Sequence, residues 1–158
     1  MAFQDDLSCC NMRELVKHNH KFAKAVYTDR CRQVVTMCMK PLDCIPKEKH
    51  DNASQMFGVK SGYLHIEHWK NGCMHHVDLY GDGCGGGEDV YVVPPGDWHR
   101  VYNPSDRHKT FLLVSYCGKP PHPACYSKDC ADQKYKKDDC REERRDCRQE
   151  RRDCKDDC

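Results

Sequence analysis

The decapeptide PPGDWHRVYN, residues 94–103, is the most informative stretch of the sequence. It places a Pro-Pro-Gly turn directly before a short run rich in aromatic and β-branched residues, in the spacing P-x-G-x-x-H-x-x-x-N. The stretch therefore predicts a turn followed by a strand that begins with His99.

A second pattern, E-x-H-x4-Q-x6-G, lies upstream and consists of Glu48, His50, Gln55 and Gly62. Side chains two residues apart on a strand point to the same face, so Glu48 and His50 can converge on one point. A carboxylate and an imidazole suit a borderline divalent ion, so this pattern makes Glu48 and His50 candidate metal ligands.

Short β-rich runs separated by turn residues fill the middle of the chain, and Asn71-Gly72 between two of them is a strong hairpin signal. Such evenly spaced short strands predict an all-β barrel or sandwich. The predicted strands are residues 32–39, 54–60, 62–69, 74–80, 89–93, 99–102 and 109–117.

The two patterns, in this order, resemble the first and second conserved motifs of the cupin superfamily. The resemblance covers residues 27–123 and is strongest to small single-domain cupins of the mannose-6-phosphate isomerase-like type. It implies a cupin-type double-stranded β-helix, a jelly-roll barrel, in which Glu48, His50, Gln55 and His99 hold Zn, Fe, Mn, Ni or Co, and which binds or isomerises a small sugar or sugar phosphate. Metal-binding cupins usually carry His where Glu48 stands and Glu where Gln55 stands, so a polar interior without metal is the alternative.

Residues 1–26 and 124–158 flank the predicted barrel. A short helix is expected within 11–25. Residues 126–158 carry eleven basic and eleven acidic side chains and few apolar ones, so they cannot form a core. A heptad-like repeat in this tail places Cys140, Cys147 and Cys154 seven residues apart, with Cys158 beside them if the tail is helical. This predicts either disulfide cross-links to assembly partners or other copies in a homo-oligomer, or a solvated helix or disordered tail.

Fourteen cysteines in 158 residues are unusual. Four residues of the right type for zinc follow the last predicted strand, although a disulfide that ties the tail to the barrel is an equal alternative. They are Cys117, His122, Cys125 and Cys130.

The histidines His65, His68, His75 and His76 lie on adjacent predicted strands, either as a second metal site or as ordinary exposed and core residues. No general base can be assigned, although Tyr63, His65 and Tyr102 could face the cavity. The catalytic residues therefore remain unknown from sequence.

A formal net charge of +1 argues against nucleic-acid or membrane partners. No signal peptide or apolar span is recognisable, which predicts cytoplasmic synthesis. Two functions remain: a cupin that acts on a small polar ligand, or a non-catalytic structural protein, such as a virion component, cross-linked through its cysteines.

Overall fold

The computed structural model describes residues 11–82, 88–124 and 126–128, which form one short helix and ten strands. In chain order these are α1 (Met12–Lys17), β1 (Ala23–Thr28), β2 (Arg32–Met39), β3 (Cys44–Glu48), β4 (Ala53–Ser61), β5 (Tyr63–Lys70), β6 (Cys73–Tyr80), β7 (Val90–Val93), β8 (Trp98–Tyr102), β9 (Thr110–Gly118) and β10 (Ser127–Lys128).

Two sheets share one apolar core. The six-stranded sheet has the order β10-β1-β2-β9-β4-β7, and the four-stranded sheet has the order β3-β8-β5-β6. All strand ladders are antiparallel. Buried side chains from both sheets meet between them, among them Phe57, Leu64, Ile66, Val101 and Leu112. The all-β architecture expected from the strand pattern is confirmed.

The segment before the first predicted strand contains a short helix within the expected range 11–25, but the end of that range is a strand. The helix ends at Lys17, and residues 23–25 belong to β1, where buried Ala23 and Ala25 alternate with exposed Lys24. This alternation is the period of a strand, and pairing with β2 stabilises it. The three residues are too few for the period to stand out in sequence.

Strand β3 was not predicted, because prolines at 41 and 46 argue against a strand. Pro46 is tolerated because β3 is an edge strand and its register with β8 shifts between Ile45 and Glu48. This irregular edge strand carries Glu48 to the interior.

The turn residues of the two sequence patterns connect neighbouring parts of the structure. Gly96 has a φ of +85°, and its N–H donates to the carbonyl of His50 at 2.9 Å. Gly62 has a φ of +92°, a region that favours glycine. Asn103 is fully buried, and its side-chain amide donates to the backbone carbonyls of Lys40 and His108. The glycines and the asparagine of the two patterns therefore hold backbone turns and contacts in place, in addition to the polar side chains that the patterns supply.

No helix among the described residues is both long and apolar enough to cross a membrane. The predicted barrel boundaries, at residues 26/27 and 123/124, stay predictions. The six-stranded sheet includes residues on the outer side of both boundaries, since β1 begins at Ala23 and β10 begins at Ser127.

Candidate metal centre

The four residues predicted to form the polar cluster come from both sheets. Glu48 ends β3 and lies opposite His99 of β8, while His50 follows β3 by two residues. Gln55 lies on β4 in the other sheet, opposite Tyr116 of β9. Glu48, Gln55 and His99 occupy strand positions that face the core between the sheets, whereas His50 lies beyond the end of β3, although a strand position was expected for it.

The structure brings Glu48, His50 and His99 together, with one potential ligand atom from each lying within 4.8 Å of the others. Glu48 Oε1 is 3.4 Å from His50 Nε2 and 3.6 Å from His99 Nε2. Both nitrogens are buried and have no hydrogen-bond partner among the described residues. Unpartnered buried nitrogens are costly unless something binds them, and a divalent cation is the group that this donor set fits.

His99 is held in the tautomer that a metal ligand needs. Its Nδ1 lies 3.3 Å from the carbonyl oxygen of Asp97, which can only accept a hydrogen bond. In the neutral ring Nδ1 therefore carries the proton, and Nε2 turns an unshared electron pair toward Glu48. A backbone carbonyl that orients the second ring nitrogen is the usual support of a metal-bound histidine.

Gln55 is oriented by Tyr116. The amide nitrogen of Gln55 donates to the Tyr116 hydroxyl at 3.0 Å, and the Tyr116 ring packs edge-on against His50 with centroids 5.2 Å apart. The amide oxygen is left buried and without a partner among the residues described. Gln55 thus has its oxygen, the better metal ligand of its two polar atoms, left for a cation.

Glu48 is ionised at neutral pH. Burial raises the pKa of its carboxyl, but His50 and His99 stabilise the carboxylate more strongly and hold the pKa at about 2. A carboxylate with a third of its side chain exposed, at 35 %, remains accessible to solvent and small molecules. The cluster therefore combines a carboxylate with two imidazole rings.

A cavity of about 140 Å³ opens beside Glu48. Its lining combines apolar side chains with phenol, imidazole, carboxylate and ammonium groups. The lining residues are Phe22, Ala23, Val35, Met37, Ile45, Pro46, Glu48, Tyr116, His122, Tyr126 and Lys128.

His122 helps to close this cavity, and we expect its titration to make the closure sensitive to pH. Its ring stacks on Tyr126, with centroids 4.1 Å apart, and its backbone carbonyl accepts from Gln33 Nε2 at 2.9 Å. Burial lowers the pKa of His122, against a smaller opposing effect of Glu48. Because the folded pKa lies below the ordinary value of about 6.5, the stabilisation is present above that pH and is lost as the pH falls below it.

Urea unfolding at pH 7.5 and 5.5 checks this expectation. The free energy of unfolding should fall more in the wild type than in His122→Phe, which keeps an aromatic ring and cannot titrate. Glu48 does not contribute in this window, because a lowered carboxyl pKa affects stability only below about pH 4.5. Equal losses in both proteins would contradict a role for His122.

The second predicted cluster, Cys117, His122, Cys125 and Cys130, is only partly described. Cys117 is an exposed free thiol on β9, and His122 packs among aromatic rings. Cys125 and Cys130 lie outside the described residues, so this cluster stays a prediction. The tail cysteines lie outside the described residues too: Cys140, Cys147, Cys154 and Cys158.

The candidate general bases do not face the cavity. Tyr63 donates to Asp78, and the ring of His65 contacts Tyr102, whereas the alternate residues Leu64 and Ile66 are fully buried in the core. This expectation was wrong because the register of strand pairing decides which alternate side chains of β5 face the core, and the sequence alone does not give that register. Sequence reasoning missed Tyr116, whose role depends on pairing with β4.

No family model matches the chain. Solved structures with a similar fold include a protein of Bacillus halodurans (TM-score 0.65, 23 % identity, covering 77 % of this chain and 87 % of that one). The cupin domain of Schizosaccharomyces pombe Cnp3 is also similar (TM-score 0.55, 9 % identity, 66 % and 67 % covered), as is oxalate oxidase (TM-score 0.53, 14 % identity, 76 % and 61 % covered). The fold is therefore a cupin fold, with candidate metal-binding residues in its interior.

In sequence, the chain is similar to an uncharacterized protein of Acanthamoeba polyphaga mimivirus. The two are 28 % identical over 120 residues, which covers 75 % of this chain and 71 % of the viral protein.

Proposed function

We propose that this protein is a metal-binding cupin that holds one divalent ion with Glu48, His50, Gln55 and His99 and binds a small polar ligand in the adjoining cavity. The observation that carries the proposal is the pair of buried nitrogens, His50 Nε2 and His99 Nε2, that have no hydrogen-bond partner among the described residues and cluster with the Glu48 carboxylate. The amide oxygen of Gln55 is buried without a hydrogen-bond partner in the same part of the chain as well. The bound ion would act as a Lewis acid toward a hydroxyl or carbonyl oxygen of that ligand.

The size of the cavity limits the ligand. A cavity of about 150 Å³ holds a molecule the size of benzene, so the 140 Å³ here suits a ligand, or a part of one, with about six non-hydrogen atoms. A small polyol, a hydroxy acid or the reactive part of a sugar phosphate meets this limit. Lys128 lines the same cavity and supplies positive charge, which favours an anionic ligand.

Elemental analysis tests the metal site directly. Protein purified without chelator should contain about one equivalent of metal at this site, and His50→Ala and His99→Ala should each weaken binding at least about 100-fold, because loss of a ligand exceeds the usual effect of its supporting residues. His75→Ala is the matched control, since His75 is exposed on β6. A metal content that does not fall by about one equivalent in either ligand variant would refute the proposal, because metal bound elsewhere on the chain is unaffected by these substitutions.

Gln55→Glu provides a test in the opposite direction. The substitution replaces a neutral amide ligand with a carboxylate of nearly the same shape, so affinity for Zn²⁺ should rise about tenfold or more, which corresponds to about 1.4 kcal/mol. Competition with a chromophoric chelator measures the change. An unchanged or weaker affinity would show that Gln55 does not bind the ion.

Ligand binding follows in a second experiment. Triose phosphates, hydroxy acids and polyols are screened by thermal shift against the metal-loaded wild type and against His99→Ala. We expect stabilisation by a small anionic compound in the wild type alone. Compounds that stabilise both proteins equally would show that binding does not involve the ion.

A further inference from the structure

A row of polar side chains covers the outer face of the four-stranded sheet, on the side away from the core. Strand register places Glu67 of β5 between His76 of β6 and Arg100 of β8, and it places His65 opposite Asp78. The residues between them, including Leu64 and Ile66, point into the core. This row is therefore separated from Glu48 and His99 by the sheet itself.

His65, Glu67 and His76 each present one potential ligand atom, and these atoms lie within 4.8 Å of one another. His65 Nε2 and His76 Nδ1 are 2.9 Å apart. Two nitrogens bound to one zinc ion at about 2.05 Å in a tetrahedron lie about 3.4 Å apart, so a half-ångström separation of the rings would admit the ion.

Neighbouring residues orient the ligand atoms. The carboxylate of Asp78 lies 2.5 Å from His65 Nδ1 and can only accept, so this nitrogen donates and His65 Nε2 keeps its electron pair in the neutral ring. Tyr63 donates to the same carboxylate at 2.6 Å and fixes its position. This carboxylate–histidine arrangement is the one that supports metal-bound imidazoles.

Glu67 is oriented in a similar way from the other side. Arg100 Nε donates to Glu67 Oε2 at 2.6 Å, and Arg100 Nη2 contacts the same oxygen. Glu67 and Asp78 together carry one more negative charge than Arg100 neutralises, so the local charge also favours a cation.

We propose that His65, Glu67 and His76 form a second divalent-metal site on the outer face of the four-stranded sheet, supported by Asp78 and Arg100. Two imidazoles and one carboxylate are a ligand set that zinc accepts with a fourth position left open. The site is independent of the interior cluster, which lies on the opposite side of the sheet.

Metal counting with Zn²⁺ tests the proposal in the full-length chain, with His99→Ala as the background so that the interior cluster is disabled. Adding His76→Ala should lower bound zinc by about one equivalent, whereas adding His75→Ala, on the same strand but the opposite face, should not. The cysteines are identical in all three proteins and cancel in the difference. Equal zinc content with and without His76 would overturn the proposal.

Imidazole ¹⁵N chemical shifts give a readout that a structural role would not move. One equivalent of Zn²⁺ should shift the His65 Nε2 and His76 Nδ1 resonances, and Asp78→Asn should weaken this response about 10- to 100-fold. Shifts that respond to pH but not to zinc would overturn the proposal and leave a pair of histidines that share a proton. Because these resonances report only the outer face, the result is separate from the fate of the interior site.

Discussion

Replacing Asn103 with alanine is expected to lower the free energy of unfolding by about 3 kcal/mol, a large share of the stability of a small domain. Asn103 is fully buried at the end of β8. Its Nδ2 donates to the carbonyls of His108 at 2.8 Å and Lys40 at 3.1 Å, and its Oδ1 accepts from the Ser105 N–H at 3.0 Å. Alanine would leave these backbone groups without their partner.

Urea unfolding monitored by tryptophan fluorescence measures the effect. Asn52→Ala is the matched control, since Asn52 is exposed in a turn and its loss should change stability by no more than about 0.5 kcal/mol. A decrease below about 1 kcal/mol for Asn103→Ala would show that water or rearranged backbone replaces the bonds. The asparagine in the P-x-G-x-x-H-x-x-x-N pattern would then have no structural role of the kind described.

Gly62→Ala is expected to cost about 3 kcal/mol, through backbone strain and collision together. Gly62 has a φ of +92°, and a Cβ there would lie 2.6 Å from the Lys109 carbonyl oxygen and 2.9 Å from Thr110 Oγ1. The Lys109 oxygen is part of the backbone next to β9, so it cannot move without disturbing the six-stranded sheet.

Gly72→Ala separates the two contributions. Gly72 also has a positive φ, +78°, but a Cβ there meets nothing within 4 Å. It should therefore cost only about 1 kcal/mol, from backbone strain alone. Thermal and urea unfolding of both variants give the comparison, and equal costs would mean that the neighbourhood of Gly62 relaxes to accept a methyl group.

Much of the fold follows from local signals in the sequence. The Asn71-Gly72 pair lies at the tip of the β5–β6 hairpin, and the predicted strand over 32–39 coincides with β2. The hairpin and the strand depend on neighbours in the chain, which is why sequence reasoning could reach them. Glu48, His50 and His99 were identified through the resemblance to the two cupin motifs, and the structure clusters them through the pairing of β3 with β8.

The features that were missed depend on register between distant strands. Tyr116 supports Gln55 only because β9 pairs with β4, and His65 reaches Glu67 and His76 on one surface only because β5 pairs with β6 in the observed register. A shift of one residue would turn each of these side chains to the opposite face. The four histidines of β5 and β6 were noticed, but the acidic partner of two of them, Glu67, was not.

The position of β9 also governs how the chain assembles. β9 pairs with β2 on one side and β4 on the other, yet it follows both in chain order. During synthesis on the ribosome, β2 and β4 emerge before β9, which lies between them in the sheet. The edges of β2 and β4 that face β9 therefore stay unpaired until residue 118 has been added. The β5–β6 hairpin can form earlier, because its contacts are local. We therefore expect slow folding, in milliseconds to seconds, limited by the docking of β9.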